Sequence, residues 1–257
     1  MAIIAIPSSS NLMVGRGEAK FNRFDANGAK TQIRSLGECS KLFTKVNPST
    51  IELYSHLTGA SALYDATSAK TTIEGGITTK EFHPENLAIA ELGATAAWTQ
   101  SSASRTDAAI AGTVIKGTGL WTGDRKITVT NVKKGATTLV LNTDYTVDAD
   151  AGIIMILPGT STLSDGDSIT WSGSCAAIAS TKIATAGTGQ ILGELTYTPA
   201  TDQKGPRWLT VIPRLQFFPN GQTDLIGDDY GEITLDFKIL NDSANNPTAP
   251  YGWKYLL

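Results

Sequence analysis

Residues 231–240 read GEITLDFKIL, and this stretch decides the fold class. Ile233, Leu235 and Phe237 alternate with Thr234, Asp236 and Lys238. A period of two puts the apolar set on one face of a β-strand and the polar set on the other. Pro219-Asn220-Gly221 supplies a turn upstream, and Trp208–Phe218 and Gln190–Thr198 carry further strand signals. At the other end of the chain, Val14–Phe24 and Thr31–Cys39 form a predicted hairpin around Asp25-Ala26-Asn27-Gly28, because Asn-Gly tolerates positive φ.

A second predicted pair lies between these. Ser49–His56 (STIELYSH) alternates Ile51, Leu53 and Ser55 against Glu52, Tyr54 and His56. Ser68–Phe82 (SAKTTIEGGITTKEF) is long, Thr-rich and polar on both faces, and Gly75-Gly76 predicts a bulge or bend in its middle. Leu57–Thr67 (LTGASALYDAT) reads as a loop too long for a tight turn. PENLAIAELG, Pro84–Gly93, is the one helix signal. Pro84 suits the first turn, Glu85 the positive end of the dipole, and Gly93 the stop. Ala94–Ala111, rich in Ala, Ser and Thr, reads as a linker. Residues 112–178 read as an inserted, sandwich-like β-module, with strands near Ile127–Val129, Thr143–Val147, Ile153–Leu157 and Ser168–Ser172. The expected organisation is a discontinuous β domain, 1–111 with 179–257, carrying that insert.

The totals agree with β-structure and exclude several classes. The chain has 257 residues, 41% of them hydrophobic and only 18% charged, so a large core is possible. A net charge of −3 gives no electrostatic footprint for nucleic acid. No run approaches the roughly 18–20 apolar residues of a membrane span. MAIIAIP at the start is too short for a secretory core and lacks a basic lead, so cytosolic synthesis is expected. That run reads as an arm packing on another surface, a neighbouring subunit among the possibilities. The tail Asn245–Leu257 is expected to dock.

The catalytic inventory is thin, and the expectation is a non-enzyme without cofactor. His56 and His83 are the only histidines, and no GxSxG or HExxH motif is present. Asp148–Gly152 (DADAG) lacks the calcium-loop spacing and reads as a turn. Gly117, Gly119 and Gly123 match a phosphate loop only in glycine content. No catalytic residue and no metal site is expected. Cys39 and Cys175 have no metal spacing and read as free thiols, with a disulfide open until coordinates decide. Asp224, Asp228, Asp229 and Glu232 form an acidic cluster, read either as a solvated loop or as a patch facing a polyanion or a neighbour.

Several stretches, in order, resemble the major tail tube proteins of long-tailed phages with non-contractile tails, especially Pseudomonas-type phages. They are VGRGEAKFNRFDANG (14–28), SLGECSKLFTKV (35–46), PENLAIAELG (84–93), NTDYTVDADAGIIMIL (142–157), RLQFFPNGQTDLIGDDYGEITLDFKIL (214–240) and YGWKYL (251–256). The resemblance implies two packed sheets with a flanking helix. It implies hexameric rings whose inner sheets join into one β-barrel, stacked as a hollow tube in the virion tail and assembled in the host bacterial cytoplasm. The partners would be further copies of the chain and other tail proteins (tape measure, terminator, distal tail). DNA would pass the lumen without specific binding, and no membrane would be involved.

The loop Leu57–Thr67 would stack on the adjacent ring through Leu57, Thr58, Gly59, Leu63, Tyr64 and Asp65. Arms at both ends, Ile3, Ile4 and Ile6 with Tyr251, Trp253 and Tyr255, would lie at subunit contacts. The insert would project outward. Rival readings are another tail or secretion-machine structural protein, or a carbohydrate- or cell-wall-binding β-module using Trp98, Trp121 and Trp171.

Overall fold

A computed structural model describes residues 9–57, 61–218 and 226–257. The fold is mainly β. In chain order, β1 (Gly17–Phe24), β2 (Lys30–Ser35), β3 (Cys39–Ser55) and β4 (Ala62–Thr79) precede the helix α1 (Pro84–Ala90). Then come β5 (Ala94–Gln100), β6 (Ala103–Ala109), β7 (Gly119–Trp121), β8 (Ile127–Lys134) and β9 (Thr137–Thr138). β10 (Tyr145–Asp148), β11 (Ile153–Ile156), β12 (Thr170–Cys175) and β13 (Ile178–Ala184) follow. The chain closes with β14 (Ile191–Pro199), β15 (Trp208–Phe218), β16 (Ile233–Ile239) and β17 (Trp253–Leu256). It divides into two compact units: one runs to Thr95 and resumes at Ile183, and the other is Ala96–Lys182.

The first unit is built on an antiparallel sheet ordered β2-β1-β14-β15-β16-β4-β3. β15 is long enough to carry β14 along one edge and both β17, at Trp208–Val211, and β16, at Leu215–Phe218, along the other. Alternation sends Phe21, Leu195, Leu215, Phe217, Leu235, Phe237 and Ile77 into one core. Phe217 packs edge-to-face between Phe21 and Phe237, with centroids 5.0 and 6.0 Å away. The rings leave no room for side chains beneath them. A Cβ on Gly193 would fall 2.3 Å from Phe21 Cε2, and one on Gly75 would fall 2.4 Å from Phe237 Cζ.

This corrects the reading of Gly75-Gly76. No register shift occurs there; the shifts in the β3–β4 pair fall between Cys39 and Lys41, Ser49 and Thr50, and Leu53 and Tyr54. Gly75 and Gly76 are needed because Phe237 and Phe43 press on the strand from its two faces.

α1 covers the same core with Ile89, Leu87 and Ala90. The stop is also corrected. Leu92, not Gly93, takes the left-handed conformation (φ 47°), while the Gly93 N–H donates to Ala88 O at 2.6 Å and the Leu92 N–H to Ile89 O at 3.2 Å, a Schellman cap. Gly93 is required instead by the Ala184 carbonyl, 2.5 Å from where its Cβ would stand.

The second unit holds a three-stranded sheet, β10-β11-β7, and a four-stranded sheet, β6-β12-β8-β9. Its own core includes Val114, Val132, Ile154, Ile156, Leu163 and Trp171. The stretch read as a linker, Ala94–Ala111, is strand over most of its length. β5 pairs β13, and β6 pairs β12 from Ala103↔Cys175 to Ala109↔Thr170. Ala103 and Ala108 pack against the core of the second unit, while most of β6 is exposed, so the polar composition marks solvent-facing strand rather than absence of structure. The second unit therefore begins well before residue 112. The Arg105 guanidinium grips Asp124 with two of its nitrogens, Nε at 2.7 Å and Nη2 at 2.9 Å.

Candidate assembly surfaces

The residues weighed for chemistry lie apart in the structure. His56 is exposed. His83 is exposed and pairs with Glu85 through Nδ1. Among the described residues, no three His, Cys, Asp or Glu side chains cluster as a metal site. Asp148–Gly152 is a turn: Gly152 N–H donates to Asp148 O at 2.9 Å, Ala151 N–H to Asp148 Oδ1 at 3.0 Å, and Gly152 sits at φ 73°. Gly117 and Gly123 occupy turns with positive φ, whereas Gly119 lies in β7 against Met155 and Ile153. Cys39 and Cys175 are free thiols, and burial pushes the Cys39 thiol up from its ordinary pKa. Among the described residues no helix is long and apolar enough to cross a membrane.

The three tryptophans offered for a sugar site do not share one role. Trp171 is fully buried and cannot line a surface. Trp98 lies beneath the Arg125 guanidinium, 5.2 Å from ring to charge. Trp121 is exposed.

Three surfaces of the first unit stand out among the described residues. The first is the polar side of its sheet, where Lys20, Glu194, Gln216, Lys238, Asp236, Glu74, Lys45 and Lys41 follow from the register opposite the core positions. Its charges balance locally: Lys30 pairs Glu194 at 2.5 Å, Lys20 pairs Glu18 at 3.0 Å, and Lys238 approaches Glu74 at 3.9 Å. Lys20 and Ser35 hold the Glu18 carboxyl below its ordinary range, the Ser35 hydrogen bond most strongly.

The second surface is the pair of sheet edges. Among the described residues, β2 and β3 end the strand order, so neither has a strand hydrogen-bonded along its outer edge, and β3 approaches β1 without pairing to it. Ile33 on β2 is exposed.

The third is an arm. β16 pairs with β4 only over Ile73–Thr79, whereas β3 and β4 pair with each other on to Ser55↔Ala62. The distal hairpin is thus a two-stranded ribbon outside the sheet. Ile51, Leu53, Leu57, Leu63 and Tyr64 on it are exposed, Ile51 by 68% and Leu57 by 93%. A lone two-stranded hairpin is marginal in water, and apolar side chains on it are a place for a partner. The Tyr54 hydroxyl donates to Glu52 Oε2 at 2.6 Å, which raises the Tyr54 pKa.

The loop expectation for Leu57–Thr67 is corrected here. β4 starts at Ala62, so Leu63, Tyr64 and Asp65 are strand residues; Leu57 follows the end of β3, and Thr58 and Gly59 fall outside the described residues. The segment lacks a strict alternation because the ribbon it belongs to carries register shifts, between Ser49 and Thr50 and between Leu53 and Tyr54.

Of the two proposed arms, Ile3, Ile4 and Ile6 lie outside the described residues. Trp253 and Tyr255 lie in β17, stack edge-to-face at 6.4 Å, and are held against β15 within the chain; Tyr251 precedes them and is exposed. Of the acidic cluster, Asp224 is outside the described residues, Asp228 and Asp229 are exposed, and Glu232 pairs with Lys80 at 3.6 Å.

Sequence reasoning missed a groove of about 250 Å³ between β3 and the β1, β14, β15 and β17 strands. Its floor includes Ala19, Leu42, Leu195 and Ile212, and its cationic lining is Arg16, Lys41 and Lys254. Those three cations are scattered over the sequence, so no local signal could have joined them.

One family model matches residues 12–253 of this chain, and its family is described as "Protein of unknown function UCP028589". The chain belongs to that family. No curated protein matches the chain.

Proposed function

We propose that this family member is a structural subunit that assembles with copies of itself into stacked rings, the tube of a long non-contractile phage tail. The observation carrying the proposal is the pairing of two open sheet edges with an uncovered two-stranded arm in one unit. Open edges are an aggregation hazard that proteins cover or close. Copies joined edge to edge around a ring remove every edge at once, and the strands become one barrel. The balanced polar face would then line the channel. Alternating lysines and carboxylates give a passing polyanion no sustained attraction, so DNA is conducted rather than held. The second unit, with a core of its own, tolerates a position outside the tube.

The ordered resemblance to tail tube proteins supports the same reading. Sedimentation velocity over rising concentration tests it. The expected result is species far heavier than the 27.1 kDa chain; a single monomer boundary throughout would overturn the proposal.

A further inference from the structure

We infer that the tip of the β3–β4 arm docks into the basic groove of a second copy, with Ile51 and Leu53 on its apolar floor. This rests on the self-assembly reading and names the receptor for the arm. The register places Ile51 and Leu53 on one face of the ribbon, opposite Thr67 and Asp65. Both aliphatic side chains are more than half exposed, at 68% and 57%. The whole tip, residues 50–68, contains two carboxylates, Glu52 and Asp65, and no Lys or Arg.

The groove is the complement of that tip. Its floor of Ala19, Leu42, Leu195 and Ile212 is an opening into the core of the first unit. Arg16, Lys41 and Lys254 line it, Lys41 stacking over Phe43 at 5.0 Å, and no carboxylate is among the lining residues described. At about 250 Å³ it is below the roughly 300–1,000 Å³ of small-molecule sites, and it suits a few side chains. Asp65, paired with Leu53, shares the ribbon face of Ile51 and Leu53, and Glu52 lies on the other face, so apolar side chains fill the pocket while carboxylates meet its cationic rim.

The arm cannot fill its own groove. The groove is lined by residues 39–44 of β3, and the tip begins at Thr50 on the same strand. Six residues of extended chain, at about 3.3 Å each, hold the two roughly 20 Å apart. The contact is therefore between copies and joins two different surfaces. Such a head-to-tail contact repeats until it closes a ring or grows a filament.

Charge exchange in the full-length chain tests the inference. Glu52→Lys with Asp65→Lys alters only the tip, and Arg16→Glu with Lys254→Glu alters only the groove; all four side chains are exposed, and circular dichroism checks the fold of each variant. Either pair is expected to raise the concentration needed for assembly at least about tenfold. Ile51→Ser with Leu53→Ser should do the same. Combining the two charge exchanges in one chain should recover assembly, and added salt should weaken the wild-type contact.

Folded tip and groove variants that assemble like wild type would overturn the docking while leaving self-assembly standing. A combined variant no better than either pair would also overturn it. A wild-type chain that stays monomeric would overturn both readings.

Discussion

Phe217→Ala should destabilise the first unit alone. Phe217 is 1% exposed and sits between Phe21 and Phe237 in edge-to-face contact with both. Truncation removes the ring, leaves a cavity under two others that are pinned by Gly193 and Gly75, and forfeits two aromatic pairs. Buried Phe→Ala changes cost about 3–5 kcal/mol, and the pinned neighbours limit collapse into the cavity, so a loss near 4 kcal/mol is expected. The second unit has a separate core around Trp171 and should not register the change.

Scanning calorimetry or urea unfolding at low concentration, below assembly, is the assay. Two transitions are expected, of which only one moves. Phe217→Leu, which refills most of the volume, should recover much of the loss. A loss under about 1 kcal/mol, or equal shifts of both transitions, would refute the reasoning that each unit rests on its own core.

Gly193→Ala drives a methyl group into the Phe21 ring and towards the Asn22 carbonyl 2.5 Å away, and should cost about 1–3 kcal/mol in the first unit by chemical denaturation. In the second unit, Arg105 holds the Asp124 carboxyl below its ordinary range, and the Thr160 hydroxyl does the same for Asp144. Groups with depressed folded pKa values bind fewer protons folded than unfolded, so their stabilisation is present above the unfolded value and lost as pH falls through the folded one. Melting of the second unit should fall below about pH 4, and Asp124→Asn should flatten that slope; an unchanged slope would remove the pair from the account. Deleting the whole second unit, 96–182, with a short Gly/Ser bridge should leave assembly intact by sedimentation. A folded but monomeric product would place the insert at the contact instead. Shortening 57–67 should block growth beyond small oligomers, and normal assembly would remove the arm from the interface.

The strands of the first unit were legible because their chemistry is local. GEITLDFKIL shows its buried face as Ile233, Leu235 and Phe237, and β16 buries those three. The Ile51–Leu53 alternation was equally visible, but a sequence cannot say that the sheet ends before those residues and leaves them bare. Gly75-Gly76 signalled a special backbone position. Its cause, a phenylalanine ring on each face, comes from residues more than 30 and more than 160 positions away. Ala94–Ala111 failed as a linker because β5 and β6 are half-buried to exposed strands, held by pairing with β13 and β12, and such a strand of Ala, Ser and Thr resembles loop composition when read alone. The groove rests on Arg16, Lys41 and Lys254, brought together by the order β14-β15 and the return of β3 towards β1.

Negative-stain imaging of the purified full-length chain, concentrated at low salt, tests the central claim most directly. The account predicts rings or hollow tubes of uniform width. A field of separate small particles at every concentration would contradict it.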